Sequence, residues 1–284
     1  MKRVPWLRGA ALAKVTLSLR VVATRSDGYH DIEALTVSTA GPADFVHLNR
    51  RLRRGIHVVV QPYGAAPADA SNLAVRAAEM LWPHLDQRGG LGIRLRKQIP
   101  TGAGLGGGSS DAAAVLRLLG HVGRIPEPQL LDIAAQLGSD VPFCLRGTPA
   151  WMRGRGEQLE PIDGMPSLML VVAVPPFGCS TPAVYRAWDD LGGPATERHV
   201  DAPPPYQPLL PAFVNDLEAA AEHVEPRLVA FRERFEDAMQ RPAFLCGSGS
   251  AYAAWFDNEE KWRGAHDAAH RGLPSASVFA GGTI

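Results

Sequence analysis

Cysteine is scarce in this 284-residue chain: Cys144, Cys179 and Cys246 lie far apart, and no Cys-x-x-Cys pair occurs. That usage argues against a disulfide framework and a thiolate zinc site, and it fits a reducing compartment. An excess of charge of either sign is missing too, because 29 basic and 29 acidic residues cancel. No long-range field therefore draws in nucleic acid or an anionic membrane. The nine histidines form no His-Glu-x-x-His or His-x-His cluster, so a histidine-built metal site is not expected. Long apolar runs are absent as well, and no stretch approaches a transmembrane span. The opening MKRVPWLRGAALAK is basic and holds a signal-like ALA, but Arg8 and Lys14 break each apolar run short of signal-peptide length. The expectation is a cytoplasmic protein with neither nucleic-acid nor membrane partners.

What is present is enough apolar material for full cores, with 46% hydrophobic and 20% charged residues. A chain of this length makes one large or two modest domains, and a boundary near 160 divides it into 1–160 and 161–284. AKVTLSLRV (13–21) alternates as a half-buried strand, with Ala13, Val15, Leu17, Leu19 and Val21 inward and Lys14, Thr16, Ser18 and Arg20 on the open side. A turn at Asp27-Gly28 leads into a returning strand, DIEALTVSTA. FVHLNRRLRRGIHVVVQ reads as two strands joined at a basic, solvated hairpin tip. SNLAVRAAEMLWPHL has helical spacing with Ser71 or Asn72 as its cap, and PEPQLLDIAAQLG is a helix that Gly138 can end in a left-handed conformation. The Pro-rich stretch 192–211 reads as an exposed loop or linker. Strands and helices mix without regular βαβ alternation, so the class is α+β.

The informative stretch is TGAGLGGGSSDAAAVLRLL, residues 101–119. Gly102, Gly104 and Gly107 spell the Gly-x-Gly-x-x-Gly of dinucleotide sites, but the acidic residue about 20 positions on, Glu127, sits between Pro126 and Pro128 and not at a strand end. A Walker loop fails because no lysine precedes Ser109. An anion site still follows from the physics. Glycines let backbone N–H groups approach phosphate oxygens, and the following helix presents unpaired N–H groups and a positive dipole end. Ser109 and Ser110 stand at the cap, where hydroxyls satisfy the helix or meet phosphate and metal. A serine-capped glycine turn without a ligand is the alternative.

IPTGAGLGGGSSDAAA resembles the phosphate loop of the GHMP kinases, whose pattern P-x-x-x-G-L-G-S-S-A-A runs here from Pro100. AKVTLSLRVVATRSDGYHDIEALTVS, LGSDVPFCLRG and LCGSGSAYAAWF are similar, in the same order, to one branch of that superfamily whose substrate carries a cytidine diphosphate group. The resemblance implies a two-domain fold, S5-like then ferredoxin-like, with the active site in the cleft between. It implies ATP as phosphoryl donor and Mg²⁺ as its companion ion. It places Pro100, Gly102, Gly104, Leu105, Gly106, Gly107, Gly108, Ser109 and Ser110 around the ATP phosphates, with Asn72 and Lys97 near the adenine.

By the same resemblance Asp140 is the catalytic base, and Lys14 orients it and offsets charge on the transferring group. Their plainer readings are an Asx-type cap and a solvated strand lysine. Tyr29, His30 and Tyr185 match the residues that hold the cytosine, Thr181 lies near the substrate's nucleotide part, and Gly247, Ser248 and Gly249 match a turn that packs on the phosphate loop. Two positions depart from the pattern. Thr16 stands where the family carries asparagine, which loses a donor toward substrate, and Leu12 replaces a proline. A kinase with another acceptor, and a non-catalytic nucleotide-binding protein on the same fold, are the competing readings.

Overall fold

A computed structural model describes residues 6–52, 54–85, 89–193, 198–203, 206–207, 210 and 212–284. In chain order the first elements are β1 (Leu7–Thr24), β2 (His30–Leu52), β3 (Ile56–Gln61), α1 (Leu73–Leu81), β4 (Gly90–Arg96), α2 (Gly107–Gly123), α3 (Glu127–Leu137) and α4 (Val141–Arg146). Then come β5 (Ala150–Arg153), β6 (Gln158–Pro161), β7 (Met169–Val174), α5 (Thr181–Asp190), β8 (His199–Asp201) and β9 (Ala212–Val214). The chain closes with α6 (Glu218–Val224), α7 (Arg227–Met239), β10 (Phe244–Leu245), β11 (Tyr252–Phe256), α8 (Glu259–Gly272) and β12 (Ser277–Gly282). Among the described residues no helix is long and apolar enough to cross a membrane.

Two compact units result, each assembled from separated segments. One comprises Met1–Ala13, Ala43–Thr101 and Gly106–Gly147; the other comprises Lys14–Pro42, Gly102–Leu105 and Thr148–Ile284. In the first unit β4 lies between β3, to which it is parallel, and the far half of β2, to which it is antiparallel. Leu91, Ile93 and Leu95 alternate inward along β4 and are buried. The basic segment is therefore no hairpin tip. β2 and β3 are not neighbours, because β4 is inserted between them and α1 makes the crossover that parallel strands require. Arg53 and the side chain of Arg51 lie outside the described residues. Helix α2 packs on α1 and α4, and its Ala112, Ala113, Val115, Leu116 and Leu119 are buried, the alanines allowing close approach.

In the second unit an antiparallel sheet runs β10-β11-β7-β12, and Leu170–Val174 of the inner strand β7 are buried throughout. Helices α7 and α8 pack against it. The near half of β2 pairs with β5, and β5 with β6. β1 departs from the half-buried expectation: Lys14, Thr16 and Ser18 are buried as well as Ala13, Val15 and Leu17, so both faces are covered. Of the Pro-rich stretch 192–211, residues 194–197, 204–205, 208–209 and 211 lie outside the described residues. The short strand β8 falls within the rest.

Candidate active site

The glycine loop 102–108 is held on both of its flanks. In the second unit, Gly104 has φ +76°, and a Cβ there would sit 2.1 Å from the Cys246 carbonyl oxygen and 3.0 Å from that of Gly249. Only glycine permits that approach and that backbone conformation. Further bonds stitch the loop down: Ser250 N donates to Gly102 O (3.3 Å), Ala251 N to Ala103 O (3.1 Å), Cys179 N to Gly102 O (3.2 Å) and Lys14 N to Leu105 O (3.0 Å). The turn at 247–249 thus meets the loop as expected. Asn215, which no motif signals, braces that turn: its Nδ2 donates to Leu245 O (2.9 Å) and Gly247 O (2.7 Å).

In the first unit α2 starts at Gly107 with left-handed Gly106 (φ 69°) as N-cap and no side chain bonding the cap. The first-turn N–H groups are therefore not satisfied by a serine hydroxyl. Ser110 is buried, its Oγ donating to Leu12 O (2.5 Å) and lying 3.3 Å from Cys144 Sγ. Ser109 is half-buried, and it is the hydroxyl left nearest to solvent in this pair.

Lys97 follows the last residue of β4 and is buried. It is 9% exposed, and its Nζ donates to Asp44 and to Asp111 (2.6 Å), both carboxylates buried. Asp44 Oδ1 also accepts from Gln98 N (2.5 Å) and Ile99 N (2.9 Å), while Asp111 Oδ1 is buried without a partner. Two carboxylates share one ammonium here. Burial, with the Asp44 charge adding and Lys97 opposing, pushes the Asp111 carboxyl up to about 7 from an ordinary 3.8. A carboxyl raised on folding stabilises the folded state below its unfolded value, and loses that contribution as pH rises through the folded one. Comparing wild type with Asp111→Asn, the stability difference is expected to turn against wild type by about 2 kcal/mol between pH 5 and 8, measured by urea unfolding. A pH-independent difference would contradict the assignment. The signal in the sequence was a charged residue within the apolar stripe of α2.

Asn72 is the N-cap of α1, its Oδ1 accepting from Ala74 N (2.9 Å) and its Nδ2 donating to Pro67 O (2.7 Å). Asp140 occupies the N-cap position of α4 but makes no side-chain cap bond, so the Asx-cap reading does not account for it. Gly138 is extended (φ 168°) and not left-handed; the preceding helix simply stops with its N–H on Ala134 O.

In the second unit Lys14 is 8% exposed and its Nζ donates to Thr16 Oγ1 (3.4 Å), which also accepts from Thr36 Oγ1 (3.5 Å). A Cβ on Gly247 would lie 3.5 Å from the same Nζ, which places the ammonium beside the glycine turn. His30 is buried, stacked on Tyr185 (4.8 Å, 28°) and edge-on to Trp188 (5.6 Å). Its Nε2 donates to Asp189 Oδ1 (2.9 Å), to which Thr24 Oγ1 also donates (3.2 Å). Tyr29 is 53% exposed under the Arg155 guanidinium (4.9 Å). Tyr185 thus pairs with His30. Asp189 stands in the last turn of α5, where a helix dipole disfavours an acid; that misplacement was its signal. Ser180 is the N-cap residue of α5, and Thr181 shares a 2.7 Å hydrogen bond with Ser248. None of the three cysteines forms a disulfide, and all are buried.

A glycine loop seated on a glycine turn and hydrogen-bonded to the strand of a buried lysine defines a class. Residues 72–148 match the GHMP kinases N-terminal domain, and the fold is that of solved members: the Methanococcus jannaschii mevalonate kinase covers 99% of both chains with TM-score 0.67 at 11% identity. This is a GHMP kinase fold, and ATP is the phosphoryl donor of that class. A 4-diphosphocytidyl-2-C-methyl-D-erythritol kinase from Moorella thermoacetica is 39% identical over 255 residues, covering 85% of this chain and 87% of its own. A crystal structure of 4-(cytidine 5'-diphospho)-2C-methyl-D-erythritol kinase superposes with TM-score 0.79 at 35% identity, over 97% of this chain and 98% of the other. The chain belongs to the 4-diphosphocytidyl-2-C-methyl-D-erythritol kinase family.

Proposed function

We propose that this protein transfers the γ-phosphoryl group of ATP to the 2-hydroxyl of 4-diphosphocytidyl-2-C-methyl-D-erythritol, a step of non-mevalonate isoprenoid biosynthesis. The observation that carries the reading is the meeting, within one unit, of loop 102–105, the 247–249 turn and the Lys14 ammonium. In the proposed step the substrate oxygen attacks phosphorus, its proton passes to a carboxylate oxygen of Asp140, and the bond to the β-phosphate oxygen breaks to release ADP. The buried Lys14 ammonium offsets charge as it develops on the transferring oxygens.

The cytosine end is read by Tyr29, His30 and Tyr185. In a neutral imidazole whose Nε2–H is given to Asp189, Nδ1 is an acceptor, which is what a cytosine amino group requires. Stacking of the base on an aromatic ring contributes about 1–3 kcal/mol. Tyr29, open to solvent, is the ring offered for it. Asn72 and Lys97 stand near the adenine in this reading.

Mg²⁺ fits the donor present: Ser109 offers a half-buried hydroxyl oxygen in the first turn of α2, and Mg²⁺ takes oxygen ligands. Ser109 is the hydroxyl that would hold it, and the ion would supply charge neutralisation for the phosphates during transfer. Thr16 in place of asparagine favours a second reading, the same chemistry on another acceptor.

The test is ADP release from Mg-ATP with and without the cytidylyl substrate. Strong stimulation is expected. ATP binding without stimulation would remove this acceptor and leave the kinase reading in search of another.

A further inference from the structure

Helix α8 carries the segment HDAAH, which puts His266 and His270 one turn apart. Side chains four residues apart share a helix face. Here the two imidazoles meet edge to face, with centroids 4.6 Å apart and planes at 90°, and their Nε2 atoms are 3.3 Å from one another. The face is open to solvent, since His270 is exposed and His266 half-buried.

We propose that His266 and His270 form a two-point site for a borderline divalent transition-metal ion such as Ni²⁺, Cu²⁺ or Zn²⁺. The ion is bound through both Nε2 atoms, and water completes its shell. Imidazole nitrogens lie about 2.0–2.1 Å from zinc. Two such ligands at angles between square and tetrahedral stand roughly 2.9–3.4 Å apart. The observed separation of 3.3 Å falls in that interval.

Without a metal, the two rings have one hydrogen bond to share between them, in water. A metal ion uses both lone pairs and closes a chelate across one helical turn. Asp267 Oδ1 lies 3.9 Å from His266 Nδ1, the nitrogen not offered to the ion. At that distance the carboxylate is an electrostatic neighbour and not a hydrogen-bond partner, and it leaves both Nε2 atoms to face one another. Among the described residues no third histidine, cysteine or acidic side chain completes a cage, so the site is open and exchangeable. Nitrogen donors alone also make it a poor host for Mg²⁺, which takes oxygen ligands.

The sequence carried the signal in its His-x-x-x-His spacing. The two histidines have no part in the kinase reading, so the two proposals stand or fall apart.

The test is calorimetric titration of the full-length protein with NiCl₂ in a non-chelating buffer, using wild type, His266→Ala, His270→Ala and the double variant, with MgCl₂ as control. Wild type is expected to bind one Ni²⁺ that either single substitution weakens by at least about tenfold, because the chelate is lost. Copper-loaded wild type should show two equatorial imidazole nitrogens by electron paramagnetic resonance, and the variants fewer. The variants should retain wild-type helical content and kinase turnover, since both side chains reach solvent. Nickel affinity unchanged in the double variant, or Mg²⁺ bound as well as Ni²⁺, would overturn the site.

Discussion

Replacing Asp140 with asparagine is expected to slow phosphoryl transfer by about 10²–10⁴-fold while ATP binding is retained. Asparagine keeps the size and hydrogen-bonding reach of the side chain and removes the proton acceptor. The position is suited to such a test because Asp140 makes no side-chain bond to the end of α4, so no helix cap is lost with the charge. The readouts are single-turnover transfer and ATP affinity, measured on the same preparation. Transfer at the wild-type rate would remove Asp140 from the chemistry. Loss of ATP binding together with transfer would make it a structural residue.

Gly104→Ala is expected to be strongly damaging for a change of one methyl group. Its Cβ would fall 2.1 Å from the Cys246 carbonyl oxygen, a backbone atom that cannot swing aside, and the φ of +76° is itself unfavourable for alanine. The loop must lift off the 247–249 turn, at a cost of about 3 kcal/mol or more. ATP affinity should fall with it, since residues 102–105 lose their seat. Gly108→Ala is the control: its Cβ would meet only Leu73 Cδ1, at 3.7 Å, inside a helix. Denaturant unfolding of both variants, with ATP titration of Gly104→Ala, decides the matter. Equal stability of the two would contradict the seating described here.

Features set by neighbours along the chain were legible in the sequence. The alternation of β1, the glycine loop entering α2, the strand–turn–strand at 244–256 and the helix 127–137 all follow from local pattern and turn chemistry. What escaped depends on contacts between distant positions. Lys97 and Asp44 are 53 residues apart, and nothing local distinguishes their buried ion cluster from a solvated pair. Ser110 looked like a cap, but β1 offers it the Leu12 carbonyl 98 residues away. The order of β3 and β4 was hidden because a parallel crossover leaves no turn signature, and two adjacent strands with a basic link imitate a hairpin. Lys14 read as an open-face lysine, since alternation does not reveal that a second layer covers that face. In the candidate site the residue types were readable from motif resemblance. The partners that fix them, Asp189 for His30 and Asn215 for the glycine turn, were not.

The central claim concerns where the phosphoryl group goes, and the product tests it most directly. C2 of a 2-C-methyl-erythritol carries a methyl group and no hydrogen, whereas the hydroxyls on C1 and C3 are borne by carbons that do. A proton-coupled phosphorus NMR spectrum of the turnover mixture therefore distinguishes them. The account predicts a new phosphomonoester singlet beside an intact cytidylyl diphosphate and the resonances of ADP. A doublet or triplet, or no phosphomonoester beyond free phosphate, would contradict it.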